Sequence, residues 1–154
     1  MRELAKLRAL TGAERRLLIV ACAATPLVAG GLSLFGFRRM HGALARWPRP
    51  RSARFKTPGA ALARARSVSK IVSIAAGRGP FRATCLRRSL LLWWLLKRDG
   101  IETILRVGVN RENGTLHAHA WVEYMGRPLN DADDIALRFP AFERNFGASP
   151  RGAS

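Results

Sequence analysis

Cys85, His119 and Asp131 follow one another in an order that a nucleophilic thiol site can use. A thiol at neutral pH is mostly protonated and attacks a carbonyl only as thiolate; it needs a base, and the base needs a carboxylate to orient its ring. Cys85 opens the apolar run TCLRRSLLLWWLLK, in which Leu86, Leu90, Trp93 and Trp94 recur at helical spacing behind Thr84, a residue suited to capping. In the first turn of such a helix, unpaired backbone N–H groups and the positive end of the dipole favour a thiolate. His119 lies in the strand-like run HAHAWVEY, and Asp131 follows after a short return. The pattern points to a cysteine peptidase or an acyltransferase.

The positioning elements are legible around these residues. Thr103 to Asn110 and Leu116 to Tyr124 read as strands joined through Glu112, Asn113 and Gly114, because Asn-Gly between two such runs signals a hairpin. Alternation turns Leu116, Ala118, Ala120, Val122 and Tyr124 to one face and His117, His119, Trp121 and Glu123 to the other. A turn at Gly126, Arg127 and Pro128 then brings Leu129, Asn130 and Asp131 back beside His119 on an adjacent strand. Ala60 to Ala76 reads as a helix whose Leu62, Ala65, Val68, Ile71, Val72 and Ala75 pack beside the Cys85 helix.

Several roles have competing assignments. Spacing alone leaves His117 and His119 both open as the base, and His117 and Trp121 are candidates to touch substrate. Asn130 competes with Asp131, since Cys-His-Asn arrangements also occur. Cys22 reads as a small buried side chain, Trp93 and Trp94 as helix packing, and Asp133 and Asp134 as solvated or helix-start carboxylates. The Cys85 N–H is a natural oxyanion donor, but the chain has no Gln, so a second donor is not identified. No metal and no cofactor is expected: there is no Cys-x-x-Cys, no His-Glu-x-x-His and no phosphate loop, and His41 is the one histidine outside the strand.

Three stretches, CLRRSLLLWWLLKRDGIETILRVGV, HAHAWVE and GRPLND, resemble the transglutaminase-like cysteine peptidases of lasso-peptide biosynthesis. The resemblance runs from about Arg82 to about Asp131. It implies an α+β fold of the papain and transglutaminase type, with N-terminal helices ahead of a nucleophile-bearing helix packed on an antiparallel sheet. It implies Cys85 as nucleophile, His119 as general base and acid, and Asp131 as orienting carboxylate, and it selects His119 over His117 as the histidine before Ala-Trp-Val. The implied reaction removes the leader from a ribosomally made precursor through a thioester. The implied partners are a precursor peptide with its leader, a separate leader-binding protein and an ATP-dependent lasso cyclase. A transglutaminase-like acyltransferase and a non-catalytic adaptor that presents precursor are the alternatives.

Charge and composition supply the frame. The net charge of +17 is uneven: residues 1–79 carry 16 Lys and Arg against 2 acids, and residues 80–154 carry 11 against 8. A basic N-terminal half suits an acidic peptide, an acidic partner or anionic lipid; no recognition motif accompanies it, so nucleic acid is not expected. Leu17 to Phe37 is an uncharged run of 21 residues between Arg15-Arg16 and Arg38-Arg39. At about 1.5 Å per residue it can cross a hydrocarbon core of roughly 30 Å. Pro26, Gly30, Gly31 and Gly36 interrupt it, which favours a packed or membrane-surface helical segment over a span. The expected organisation is a basic, hydrophobic helical segment (1–46), a proline-rich linker or exposed loop (47–58), the peptidase core (59–146) and a disordered tail (147–154). Two cysteines in unlike contexts suit a reducing cytoplasm, with membrane association through residues 17–37 as an added option.

Overall fold

The computed structural model describes residues 11–47, 55, 57–77 and 84–141; most of the expected linker and the whole expected tail lie outside them. The described elements are α1 (Gly12–Arg46), α2 (Pro58–Ala76), α3 (Cys85–Arg98), β1 (Ile104–Glu112), β2 (Thr115–Tyr124), β3 (Arg127–Pro128) and the short α4 (Ile135–Arg138). The strands form one antiparallel sheet in the order β1-β2-β3, so the fold is α+β, with helices first and the sheet behind them.

Helix α1 starts at a reciprocal cap, in which the Thr11 hydroxyl accepts from the Glu14 N–H and the Glu14 carboxylate accepts from the Thr11 N–H. The helix runs through Pro26 and the Gly30-Gly31 pair but breaks at Gly36, whose φ of 75° belongs to the left-handed region. The limb 37–46 folds back, so that Met40 fills the space where a side chain on Gly31 would stand. By length and composition α1 is apolar enough to cross a membrane or to serve as a signal, yet one side of it is built into the protein. Leu17, Ala21, Ala24 and Val28 join Ala65, Val68, Ile71 and Val72 of α2 and Leu90 to Leu96 of α3 in a single hydrophobic cluster.

Helix α2 begins with a Thr57 cap and Pro58, where the missing N–H costs nothing. Helix α3 is enclosed by α1, α2 and the sheet, and Ser89 through Leu96 are all buried. That explains why its apolar residues surround the helix rather than forming one stripe. Its C-terminal end is tied to α2 by Arg64, which pairs with Asp99 at 2.8 Å. Trp93 and Trp94 are packing residues, 3% and 9% exposed.

The hairpin turn is Asn113-Gly114, with φ of 51° and 78°, the two positive values that a tight two-residue connection with the correct twist demands. Met125-Gly126, with φ of 50° and 76°, repeats the device before β3. The second turn therefore precedes Arg127-Pro128 instead of containing them.

Candidate active site

Cys85 is the first residue of α3, and the cap expected of Thr84 is present: its hydroxyl accepts from the Arg87 N–H at 3.4 Å. The thiol is free and half-buried. The Cys22 thiol is also free, but it is exposed, which corrects its reading as a buried side chain. Steps of about 100° around a helix put residue 22 outward when Ala21 and Ala24 point into the core.

His119 and Asp131 meet directly, with Nε2 and Oδ2 2.6 Å apart. The carboxylate thus takes one ring nitrogen and leaves Nδ1 outside that pair. Burial pushes the Asp131 carboxyl up, but the His119 hydrogen bond, the Ala132 N–H and the His119 and Arg88 charges outweigh it and hold the group below its ordinary value. The imidazole is half-buried between rings: Phe139 lies 5.1 Å away, centroid to centroid, and Trp121 lies 6.4 Å away in a stacked orientation.

Trp121 is 0% exposed. Its indole N–H donates to Glu123 Oε1 at 2.8 Å, and Arg106 holds the other oxygen of that carboxylate at 3.0 Å. Trp121, weighed from alternation as a substrate contact, has no surface open to solvent and packs beside the imidazole. His117 is exposed further out on the same strand face. Asp133 and Asp134 are exposed, and Asp134 stands at the start of α4.

Asn130 has a different task from the imidazole partner it was weighed as. Its Oδ1 accepts from the Val122 N–H at 2.8 Å, extending the sheet ladder past Pro128, and its Nδ2 donates to Ser89 Oγ at 2.8 Å. Ser89 in turn donates to the Ala120 carbonyl at 2.8 Å. One turn beyond Cys85, the helix is therefore locked to the residue next to His119. Arg88, in the first turn of α3, donates to the Asn130 carbonyl at 3.2 Å and stands 3.9 Å from Asp131 Oδ2. The helix that Cys85 opens, the strand of His119 and the loop of Asp131 are joined by this network.

Ser89 and Arg88 had no place in the sequence reading, although a signal existed for the first. A hydroxyl within an otherwise apolar helix must find a partner once buried. Among the described residues, no three His, Cys, Asp or Glu side chains converge as a metal site.

The comparisons agree with this architecture. A model of the transglutaminase-like superfamily matches residues 31–142, from the end of the long limb of α1 through the sheet and α4. No curated protein and no solved structure matches the chain at a significant level. Superfamily members are commonly cysteine peptidases or acyltransferases, which is the chemistry that a helix-start cysteine and a His-Asp pair can perform. On the extent of the match, most of the chain and both pieces of the candidate site included, the protein belongs to the transglutaminase-like superfamily.

Proposed function

We propose that the protein is a cysteine peptidase that removes the leader from a ribosomally made lasso-peptide precursor. The observation that carries the chemistry is the 2.6 Å His119–Asp131 pair, tied through Arg88, Asn130 and Ser89 to the helix that Cys85 opens. The substrate rests on the resemblance of CLRRSL, HAHAWVE and GRPLND to leader-removing peptidases.

In the proposed reaction His119 takes the Cys85 proton and the thiolate adds to the carbonyl carbon of the leader-core peptide bond. The backbone N–H of Cys85, at the start of α3, faces the developing oxyanion. The tetrahedral adduct collapses as His119 returns the proton to the leaving amine, and the core departs with a free N-terminus. The leader stays on sulfur as a thioester. Water, activated by His119, adds to it; the C–S bond breaks, the leader leaves as a carboxylic acid and Cys85 recovers its proton. Asp131 keeps the ring oriented and balances its charge in both steps. His117, on the exposed part of the histidine face, is the candidate contact for the peptide. A separate leader-binding protein would deliver the precursor, and an ATP-dependent cyclase would close the released core; a reducing cytoplasm suits both partners and the free thiols.

The test is incubation of the precursor with the protein and a leader-binding partner, read by mass spectrometry. Wild type is expected to yield leader acid and free core, and Cys85→Ala to yield neither while keeping its circular dichroism and melting temperature. Cleavage by Cys85→Ala would sink the peptidase reading. A leader recovered as an amide of an added amine would show acyl transfer instead.

A further inference from the structure

We infer that the outward face of α1 docks the protein on the surface of an anionic phospholipid bilayer, with the helix lying in the plane of the membrane. The inward face is used: Leu17, Ala21, Ala24 and Val28 are buried in the core shared with α2 and α3. The outward face carries Ile19, Cys22, Ala23, Pro26, Leu27, Leu34 and Phe35, all exposed. Ile19, Leu27, Leu34 and Phe35 are 69%, 71%, 79% and 60% exposed, which is far from the ordinary condition of four large apolar side chains on one helix. No charged residue interrupts the stripe between Arg16 and Arg38. From Ile19 to Leu34 it is about 22 Å long at about 1.5 Å per residue.

Charge identifies the occupant. Arg15 and Arg16 at one end, and Arg38 and Arg39 at the other, are exposed. An apolar stripe bracketed at both ends by arginine matches a bilayer interface, where the apolar groups enter the acyl boundary and the guanidinium groups meet phosphates. The basic excess of residues 1–79 adds long-range attraction of the same sign. Most of the stripe lies ahead of residue 31, where the superfamily match begins. A transmembrane arrangement fits poorly, because a span would strip Leu17, Ala21, Ala24 and Val28 from the core and break the Ser67–Glu14 hydrogen bond.

Cys22 gives a direct probe, since it stands on the stripe and is exposed. In a Cys85→Ala background the full-length protein is labelled at Cys22 with an environment-sensitive fluorophore. It is then mixed with vesicles of phosphatidylcholine alone or of phosphatidylcholine with phosphatidylglycerol. Co-sedimentation with the anionic vesicles and a blue shift of the label are expected, with binding weakened about tenfold or more in roughly 0.5 M salt. The unlabelled double variant Leu27→Glu, Leu34→Glu is expected to keep its melting temperature and lose vesicle binding by about tenfold or more. The inference is overturned if neither vesicle binds, or if the protein sediments with vesicles while the label is unshifted. A lipid-free dimer that the double variant dissolves would assign the stripe to a second copy. Resistance to alkaline carbonate extraction from cell membranes would assign it to a span.

Discussion

At the residue scale, His119 does its work through what holds it. Asp131 fixes Nε2, Phe139 and Trp121 lie beside the ring, and Nδ1 is the nitrogen that the proposed reaction assigns to the thiol. Asp131→Asn retains the shape but cannot balance an imidazolium, so kcat/KM for leader removal is expected to fall about 100- to 10,000-fold with little change in KM. The same carboxylate links stability to pH. Its folded-state pKa lies below its unfolded value, so its contribution is fully present above the ordinary carboxylate range and is lost as pH falls through the folded value. Urea midpoints measured from neutral pH down to about pH 3 should fall less steeply in Asp131→Asn than in wild type. Alternation was enough to put His117 and His119 on one face, but it carries no information on which of them meets a carboxylate. That choice depends on where the chain after β3 leaves the sheet, which the Asn130 amide decides by bonding Val122 and Ser89. Long-range partners of a single amide have no signature in local spacing.

At the element scale, a buried hydroxyl ties the Cys85 helix to β2. That hydroxyl belongs to Ser89, 0% exposed, and removing it leaves the Ala120 carbonyl and the Asn130 amide short of a partner. Ser89→Ala is expected to cost about 1–3 kcal/mol in urea unfolding, and to lower activity by loosening Cys85 against His119. Gly108 marks a second joint. It pairs with His119 across the hairpin, and the backbone of Phe139 and Pro140 crosses so close that a Cβ on residue 108 would stand 2.5 Å from the Phe139 carbonyl oxygen. Gly108→Ala should therefore displace Phe139 from the imidazole, read as a shift of the His119 ring resonances, and lower stability by about 1–3 kcal/mol. The Asn113-Gly114 turn and the Thr84 cap were open to sequence reading because each depends on adjacent residues alone. The crossing at Gly108 was not, because a glycine in a strand signals close approach without naming what approaches. Met125 was missed at its turn for a related reason, since it takes a φ of 50° that its side chain does not advertise.

At the scale of the whole molecule, the basic N-terminal segment and the catalytic half share one interior. The sequence suggested a boundary between them from a proline-rich stretch and a change in charge, both of which are properties of the surface. Burial joins the two: Leu17 of α1 is 4% exposed, and it sits in the same cluster as Val68 of α2, Leu92 of α3 and Val122 of β2. Helices α1 and α2 therefore enclose the face of α3 that the sheet does not cover, and α3 opens with Cys85. A side chain lost from α1 should be felt throughout. Leu17→Ala is expected to destabilise the protein by about 2–5 kcal/mol, the range for a buried leucine replaced by alanine. The loss should appear as one cooperative transition. Thermal unfolding of full-length wild type and Leu17→Ala, followed by far-ultraviolet circular dichroism and by tryptophan fluorescence, is the measurement that decides it. Trp93 and Trp94 report from α3, Trp121 from β2 and the exposed Trp47 from the end of α1, so in a Trp47→Phe background coincident midpoints that shift together join α1 to α3 and the sheet. If the fluorescence midpoint and leader cleavage stay at wild-type values while part of the helical signal melts early, α1 is a separable arm and the shared interior does not govern stability.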